Sequence, residues 1–504
     1  MALTDATKPT DAALLTDLYE LTMAQGLWEN GKIDERACFT VFYRDNPFGS
    51  GFSVMCGTAE IPELVESIRF TSEDIAYLAG LTAPLGGPLF NPAFLEYLRG
   101  FRMRVDIDAI PEGELAFARE PLVRVVGPTF DCLLLETALL NTVGFQTLVA
   151  TKTARVVEAA KGRPVAEFGL RRAQGPDGGL SVARASYVAG ASSTSNVLAG
   201  RRWGIPVSGT HAHSWVMSFD SELEAFRAYA KSMPRNCTLL VDTYDVREGV
   251  ENAITVAKEM EARGERLSGI RIDSGDLAKL SAYARARFDE EGLPYIKVVV
   301  SNDLDEYTIQ SLLNQGAPVD SFGVGTKLVT CYDQPALGGV YKMCARLEAD
   351  GESWTPVMKL SEQPYKRTIP GIQGVRRYLD ASGAPVCDMI YDEAHLEGEG
   401  ESRGTALVAV TDPALVTEVS GLAYREMLEP CVRDGRAVAE REDLEVARAR
   451  CADALSKLDP AYKRFLYPQS YIVGLERGLA NLRDRLVRER MAEVSSALPW
   501  KRGR

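Results

Sequence analysis

In the middle of this 504-residue chain, apolar runs end again and again in polar residues of types that do chemistry. In order, these ends are Glu167-Phe168-Gly169-Leu170-Arg171-Arg172, Ser192 to Asn196, Thr210 to Ser214, Asp242-Thr243-Tyr244-Asp245, Arg271-Ile272-Asp273-Ser274-Gly275-Asp276, Ser301-Asn302-Asp303 and Gly323-Val324-Gly325-Thr326-Lys327. Three carboxylates, Asp242, Asp245 and Asp273, suit a hard cation such as Mg2+ or the hydroxyls of a sugar. Gly323-Val324-Gly325-Thr326 offers small residues and free backbone N–H groups, the means by which a phosphate is cradled without bulky side chains in the way. Lys327, Lys359 and Lys366 are candidates to bring positive charge to the same place. Arg171 presents a planar fork suited to a carboxylate or a phosphate, although Arg172 beside it leaves open which of the two does so.

The chain has three histidines, His211, His213 and His395. His211 and His213 share a face if they lie on a strand and separate if the chain bends after Gly209. An H-x-H with a distant Asp is the skeleton of a metal-dependent hydrolase, but that chemistry asks for more imidazoles than His395 supplies. A single imidazole flanked by hydroxyls fits phosphoryl acceptance or proton transfer better. The competing reading is that Asp, Ser, Asn and Gly merely cap the helices that follow. That explains any one of these ends more easily than seven in succession.

The elements that must position these residues are strand-like runs alternating with amphipathic helical patterns between about residues 164 and 326. The runs start at Pro164, Ala191, Pro206, Cys237, Gly269, Ile296 and Ser321. Repeated βα units of this spacing predict an α/β fold with a parallel sheet, closed or nearly closed as an irregular β/α barrel, with an open doubly wound sheet as the rival. In such a barrel, chemistry collects at the C-terminal strand ends. Before it, a helix from Asp11 to Glu29 with Asp11 as cap and Leu14, Leu15, Leu18 and Leu21 on one face, then short strands to Pro128, predict an α+β domain. After it, GGVYKMCARLEADGESWTPVMKLS reads as a hairpin turning near Asp350 that closes back on the first domain. The expected divisions are 1–145, an N-terminal α+β domain; 146–345, the catalytic barrel; and 346–504, the hairpin followed by helices.

Hydrophobic residues make up 46% of the chain and charged ones 25%, as in an ordinary globular protein. The 57 Lys+Arg against 70 Asp+Glu leave a net charge of −13, the wrong sign for a nucleic-acid or anionic-membrane partner. No uncharged apolar run approaching about 18 residues is apparent and the start is polar, so a cytoplasmic protein without a membrane span is expected. Nine scattered cysteines without a C-x-x-C pair fit reduced thiols.

Taken in order, Thr16 to Tyr19 (TDLY), Asn46 to Gly49 (NPFG), Glu167 to Gly179 (EFGLRRAQGPDGG), Ser192 to Gly200 (SSTSNVLAG), Gly209 to Phe219 (GTHAHSWVMSF), Arg271 to Asp276 (RIDSGD) and Phe322 to Thr326 (FGVGT) resemble the nicotinate phosphoribosyltransferases of NAD salvage, type II phosphoribosyltransferases. The resemblance implies formation of nicotinate mononucleotide and pyrophosphate from nicotinate and phosphoribosyl pyrophosphate. It also implies Mg2+, ATP as co-substrate, a phosphohistidine at His213, and a homodimer with shared active sites. Phe168 and Tyr19, the latter from a second subunit, would sandwich the pyridine ring, and Arg171 would pair with the nicotinate carboxylate. Ser195 stands where nicotinamide-specific relatives carry Asp and so favours the acid. Asp242, Arg271 and Asp273 would hold ribose, Mg2+ and pyrophosphate; Ser274, Gly275, Gly323, Gly325, Thr326 and Lys327 would bind the phosphates. His211 departs from the pattern. The alternatives are nicotinamide or quinolinate phosphoribosyltransferase and a metal-dependent barrel hydrolase.

Overall fold

A computed structural model of the chain describes residues 12–361, 363–394 and 404–497. His395 and Asp11 lie outside the described residues. The chain forms two compact units, one of Leu148–Pro335 and one of Met1–Thr147 together with Ala336–Arg504. The division thus falls ahead of the hairpin rather than near residue 345, and the last third of the chain shares a unit with the first.

The unit Leu148–Pro335 is built on a six-stranded sheet, parallel throughout. Its strands lie in the order Ser193–Thr194, Val165–Glu167, Ser321–Val324, Lys297–Val300, Gly269–Ile272 and Thr238–Leu240. The strand interiors are apolar and buried, among them Leu239, Ile270, Ile272, Val298, Val300, Phe322 and Val324, which is why the runs read as continuous hydrophobic stretches. The helices between them include Gly175–Val188, Glu222–Ser232, Val246–Glu261, Leu277–Glu290 and Glu306–Asn314. Six of the seven expected runs are strands.

The seventh, from Pro206, makes one parallel bridge, Val207 to Thr194, and then bends away into the short helix His213–Val216. Among the described residues no ladder joins it to the strand Thr238–Leu240. A side chain spans that gap: the Leu240 N–H donates to His211 Nε2 at 3.1 Å.

Helix capping accounts for several of the polar strand ends. Asp245 accepts from the Arg247 and Glu248 N–H groups, Asp276 from Lys279, Asp305 from Thr308 and Asn196 from Ala199. Asp245 is therefore engaged as a cap, whereas Asp242 and Asp273 are not.

In the other unit, a seven-stranded sheet places Gly339–Leu347 antiparallel to both Arg36–Tyr43 and Trp354–Pro356, so the hairpin does close on the N-terminal strands. A second, six-stranded sheet contains Gln373–Leu379, Pro385–Asp392 and Ile472–Glu476. The first α-helix runs Leu18–Glu29 with Asp17 at its N-cap, preceded by a 3-10 turn at Ala12–Leu14. The apolar residues here do not form one buried face: on the helix Leu21 is buried, but Leu18, Tyr19 and Met23 are exposed, as is Leu15 before it. One stretch, Thr129–Ala160, is long and apolar enough to cross a membrane by composition, unlike the expectation from the sequence. Its residues Leu139, Val143, Leu148 and Val149 are instead buried in protein, as in a core helix. All nine cysteines are free thiols.

Candidate active site

At the ends of Thr238–Leu240 and Gly269–Ile272 the chain brings Asp242, Arg271, Asp273 and Ser274 together. One oxygen of Asp242, Oδ2, accepts from the Asp273 N–H at 2.9 Å and the Ser274 hydroxyl at 2.7 Å. Its other oxygen, Oδ1, is buried without a partner. Asp273 Oδ1 accepts from the Ser301 hydroxyl, which belongs to the next strand end. Arg271 donates through Nη2 to the His211 carbonyl at 3.2 Å, while its Nε is buried with no acceptor. Burial holds the Arg271 pKa below the ordinary guanidinium range; Asp273 and Asp242 oppose that shift and nearby Arg171 adds to it. A buried acceptor and a buried donor left open on adjacent strand ends are uncommon in a folded protein unless something binds there.

His213 starts the short helix after the bend, and its Nδ1 lies 3.1 Å from the Thr243 hydroxyl, leaving Nε2 uncommitted. His211 points elsewhere, into the interior. The bend splits the pair, and Nε2 of His211 is occupied by the Leu240 amide. Among the described residues no group of three or more His, Cys, Asp or Glu stands ready to hold a metal.

At the other end of the sheet, Glu167 ties together the segments that carry Phe168, Arg171 and Ser195. This carboxylate is buried; it accepts from the Gly169 N–H and from the Thr194 hydroxyl at 2.6 Å, and the Glu167 carbonyl accepts from the Ser195 N–H at 2.9 Å. Burial pushes the Glu167 pKa up, and the two donors work against that shift. The Phe168 N–H donates to the Val324 carbonyl at 2.8 Å, tying this end to the glycine loop. A Cβ on Gly323 would meet the Phe168 ring at 2.6 Å, so only glycine lets that ring lie across the strand end. Gly325 and Thr326 open the turn Thr326–Val329, and Lys327 is tethered to Asp305 at 2.6 Å. Gly275 has φ +80°, the left-handed turn that follows Ser274. Arg171 is exposed on a 3-10 turn. Tyr19 belongs to the other unit, where it is 48% exposed with its hydroxyl 3.5 Å from Glu136.

Three family descriptions match the chain: the nicotinate phosphoribosyltransferase N-terminal domain over residues 14–144, the nicotinate phosphoribosyltransferase family over 164–382 and the nicotinate phosphoribosyltransferase C-terminal domain over 372–483. The nicotinate phosphoribosyltransferase of Bacillus subtilis is 39% identical over 471 residues, covering 93% of this chain and 94% of the relative. The chain belongs to the nicotinate phosphoribosyltransferase family. The human nicotinate phosphoribosyltransferase is 36% identical over 93% of this chain and 95% of its own. The crystal structure of the human protein superimposes with a TM-score of 0.80, covering 94% of this chain and all of that one. A Pyrococcus furiosus nicotinate-nucleotide pyrophosphorylase, 20% identical with a TM-score of 0.67, shares the fold.

In the family context, the residues that reading the sequence overlooked are the ones that hold the others: Glu167, Thr243, Ser301 and Asp305. Glu167, Thr243 and Ser301 stand at strand ends already marked as chemical, whereas Asp305 lies just past one, as the cap of the next helix. Their supporting role had no signal of its own, because their partners lie 22 to 30 residues away.

Proposed function

We infer that the protein transfers the ribosyl group of phosphoribosyl pyrophosphate to nicotinate, giving nicotinate mononucleotide and pyrophosphate in NAD salvage, with ATP hydrolysis coupled through His213. The observation that carries this reading is the pair of open, buried groups at adjoining strand ends, Asp242 Oδ1 and Arg271 Nε. One suits a cation or sugar hydroxyl and the other a phosphate oxygen, and the substrate presents both.

Displacement at the anomeric carbon passes through a state with oxocarbenium character. The carboxylates of Asp242 and Asp273 stabilise positive charge on the sugar, and Arg271 neutralises the departing pyrophosphate. Asp242 and Asp273 each retain an oxygen, which fits Mg2+, an ion content with one or two carboxylates plus phosphate and water. Bound there, Mg2+ would supply charge neutralisation for the leaving group. Gly323, Gly325 and Thr326, with Ser274, Gly275 and Lys327, are assigned to the substrate's phosphates; Lys327 reaches them from its tether to Asp305.

Arg171 is assigned to the nicotinate carboxylate and Phe168 to one face of the ring; Ser195 lacks the carboxylate that would accept from an amide, so nicotinamide is disfavoured. With Nδ1 of His213 engaged by Thr243, Nε2 is the nitrogen that takes the γ-phosphoryl group of ATP, releasing ADP; water later returns the imidazole and yields phosphate. A homodimer supplies Tyr19 to the other face of the ring, a reading favoured by the exposed Leu15, Leu18, Tyr19 and Met23.

The test is a product assay for mononucleotide and pyrophosphate with nicotinate, nicotinamide and quinolinate in parallel, with and without ATP. Turnover with nicotinate that ATP stimulates supports the reading. Preference for either of the other two pyridines overturns the substrate assignment, and a His213→Ala variant with full ATP stimulation overturns the phosphohistidine.

A further inference from the structure

We propose that His211 is a positioning residue for the transfer reaction: its imidazole ties the loop that carries His213 to the edge strand leading to Asp242, and its carbonyl holds Arg271. This rests on the function inferred above.

The strand Thr238–Leu240 is the last in the parallel sheet, with Gly269–Ile272 on one side only. Along a parallel strand, successive N–H groups point alternately to the two sides. The Val241 N–H donates to the Arg271 carbonyl at 3.1 Å, so the Leu240 N–H points to the open side. Leu240 is fully buried, and an unmet donor there would carry the cost of a buried unpaired polar group. The chain that would have paired with it has bent away after Val207. The His211 ring replaces the missing strand, with Nε2 accepting at 3.1 Å.

Three features fix the ring in that role. His211 is only 7% exposed. It packs edge-to-face with Tyr229, ring centroids 4.8 Å apart and planes inclined by 66°. Burial also pushes its pKa down to about 4, so near neutral pH the imidazole is uncharged and Nε2 keeps the lone pair that an acceptor needs.

The consequences run in two directions from one residue. Two residues after Leu240 stands Asp242, whose Oδ2 receives the Asp273 N–H and the Ser274 hydroxyl. Two residues after His211 stands His213. The His211 carbonyl takes one guanidinium nitrogen of Arg271 and so leaves the open Nε fixed in direction. All these groups face phosphoribosyl pyrophosphate rather than the pyridine. Phe168, Arg171 and Ser195 are held instead through Glu167 and the strand beside the glycine loop, none of which bonds to His211. Loosening the His211 tie is therefore expected to act on one substrate and spare the other.

Two variants separate a tie from mere packing. In His211→Leu the volume is kept and the acceptor lost; in His211→Gln the side-chain oxygen reaches towards the place of Nε2. For His211→Leu, KM for phosphoribosyl pyrophosphate should rise roughly tenfold or more, as for other small misplacements of a reacting group, with KM for nicotinate within about twofold of the parent. His211→Gln should recover most of that loss. Equal impairment of Leu and Gln, a matching rise in both KM values, or no change in either overturns the proposal. Hydrogen–deuterium exchange of the Leu240 amide in the unmodified protein decides the case even if His211→Leu does not fold. Slow exchange is expected, and an amide exchanging as fast as an unpaired edge donor refutes the tie. The unmodified protein's turnover in the same assay tests the inferred function separately, because it does not depend on either variant.

Discussion

At the scale of single residues, the site is set as much by what is absent as by what is present. Gly323 is where this is sharpest: a methyl group there would sit 2.6 Å from the Phe168 ring and 3.3 Å from Ser301 Cβ. Gly323→Ala is therefore expected to push the aromatic ring off its seat, costing about 1–3 kcal/mol in stability from overpacking and raising KM for nicotinate. Thermal unfolding with steady-state kinetics checks both; an unchanged KM would show that Phe168 does not face the pyridine. His211 gives a pH dependence of fixed sign. Its pKa falls from an ordinary 6.5 to about 4 on folding, so between those values the unfolded chain binds the extra proton and stability drops as pH falls. The loss is at most about 3 kcal/mol. Comparing melting temperatures of the parent and His211→Gln from pH 7 down to 4 isolates it, since the variant should lack that contribution.

At the scale of elements, the repeating βα units were legible because buried parallel strands are written as unbroken apolar runs, and the candidate site was legible as polar residues that interrupt them at their ends. Where the sheet stops was not legible. Pro206-Val207-Ser208-Gly209 looks like a strand, but a bridge of one residue and a histidine side chain stand in for a ladder. The sheet containing Gln373–Leu379 was missed for a related reason: Ile472–Glu476 pairs in parallel with Pro385–Asp392 some 85 residues earlier, and no local pattern announces such a partner. Nor does a helix such as Glu136–Ala160 declare that it will bury charge. Lys152 and Arg155, both on it, meet Glu306 at 2.7 and 2.8 Å with all three side chains essentially inaccessible, and Lys152 also reaches Asp333 at 2.6 Å. Glu306 opens the helix that Asp305 caps, and Asp305 holds Lys327, so this cluster braces the glycine loop that precedes Lys327. Glu306→Ala removes the buried carboxylate that Lys152 and Arg155 share and should cost about 3–5 kcal/mol, measurable by denaturant unfolding. A loss below about 1 kcal/mol would mean that water or Asp333 compensates.

At the scale of the whole molecule, one aromatic proposed for the pyridine ring, Phe168, lies in the unit Leu148–Pro335, while the other, Tyr19, lies in the other unit among apolar residues open to solvent. Leu15, Leu18, Tyr19 and Met23 are all exposed, and the proposed homodimer would cover them with a second copy of the chain. If Tyr19 serves the partner's site while His213 serves its own, the two residues required at one site come from different chains. Tyr19→Ala and His213→Ala should each lower ATP-stimulated turnover severely when alone. Mixed in equal amounts and allowed to exchange subunits, half of the dimers become hybrids. Each hybrid carries both substitutions at one site and neither at the other, so activity should return to about a quarter of the parent value. Had both residues served the same chain's site, every site in the hybrid would keep one substitution and mixing would restore nothing. The recovered fraction therefore counts which chain supplies the tyrosine.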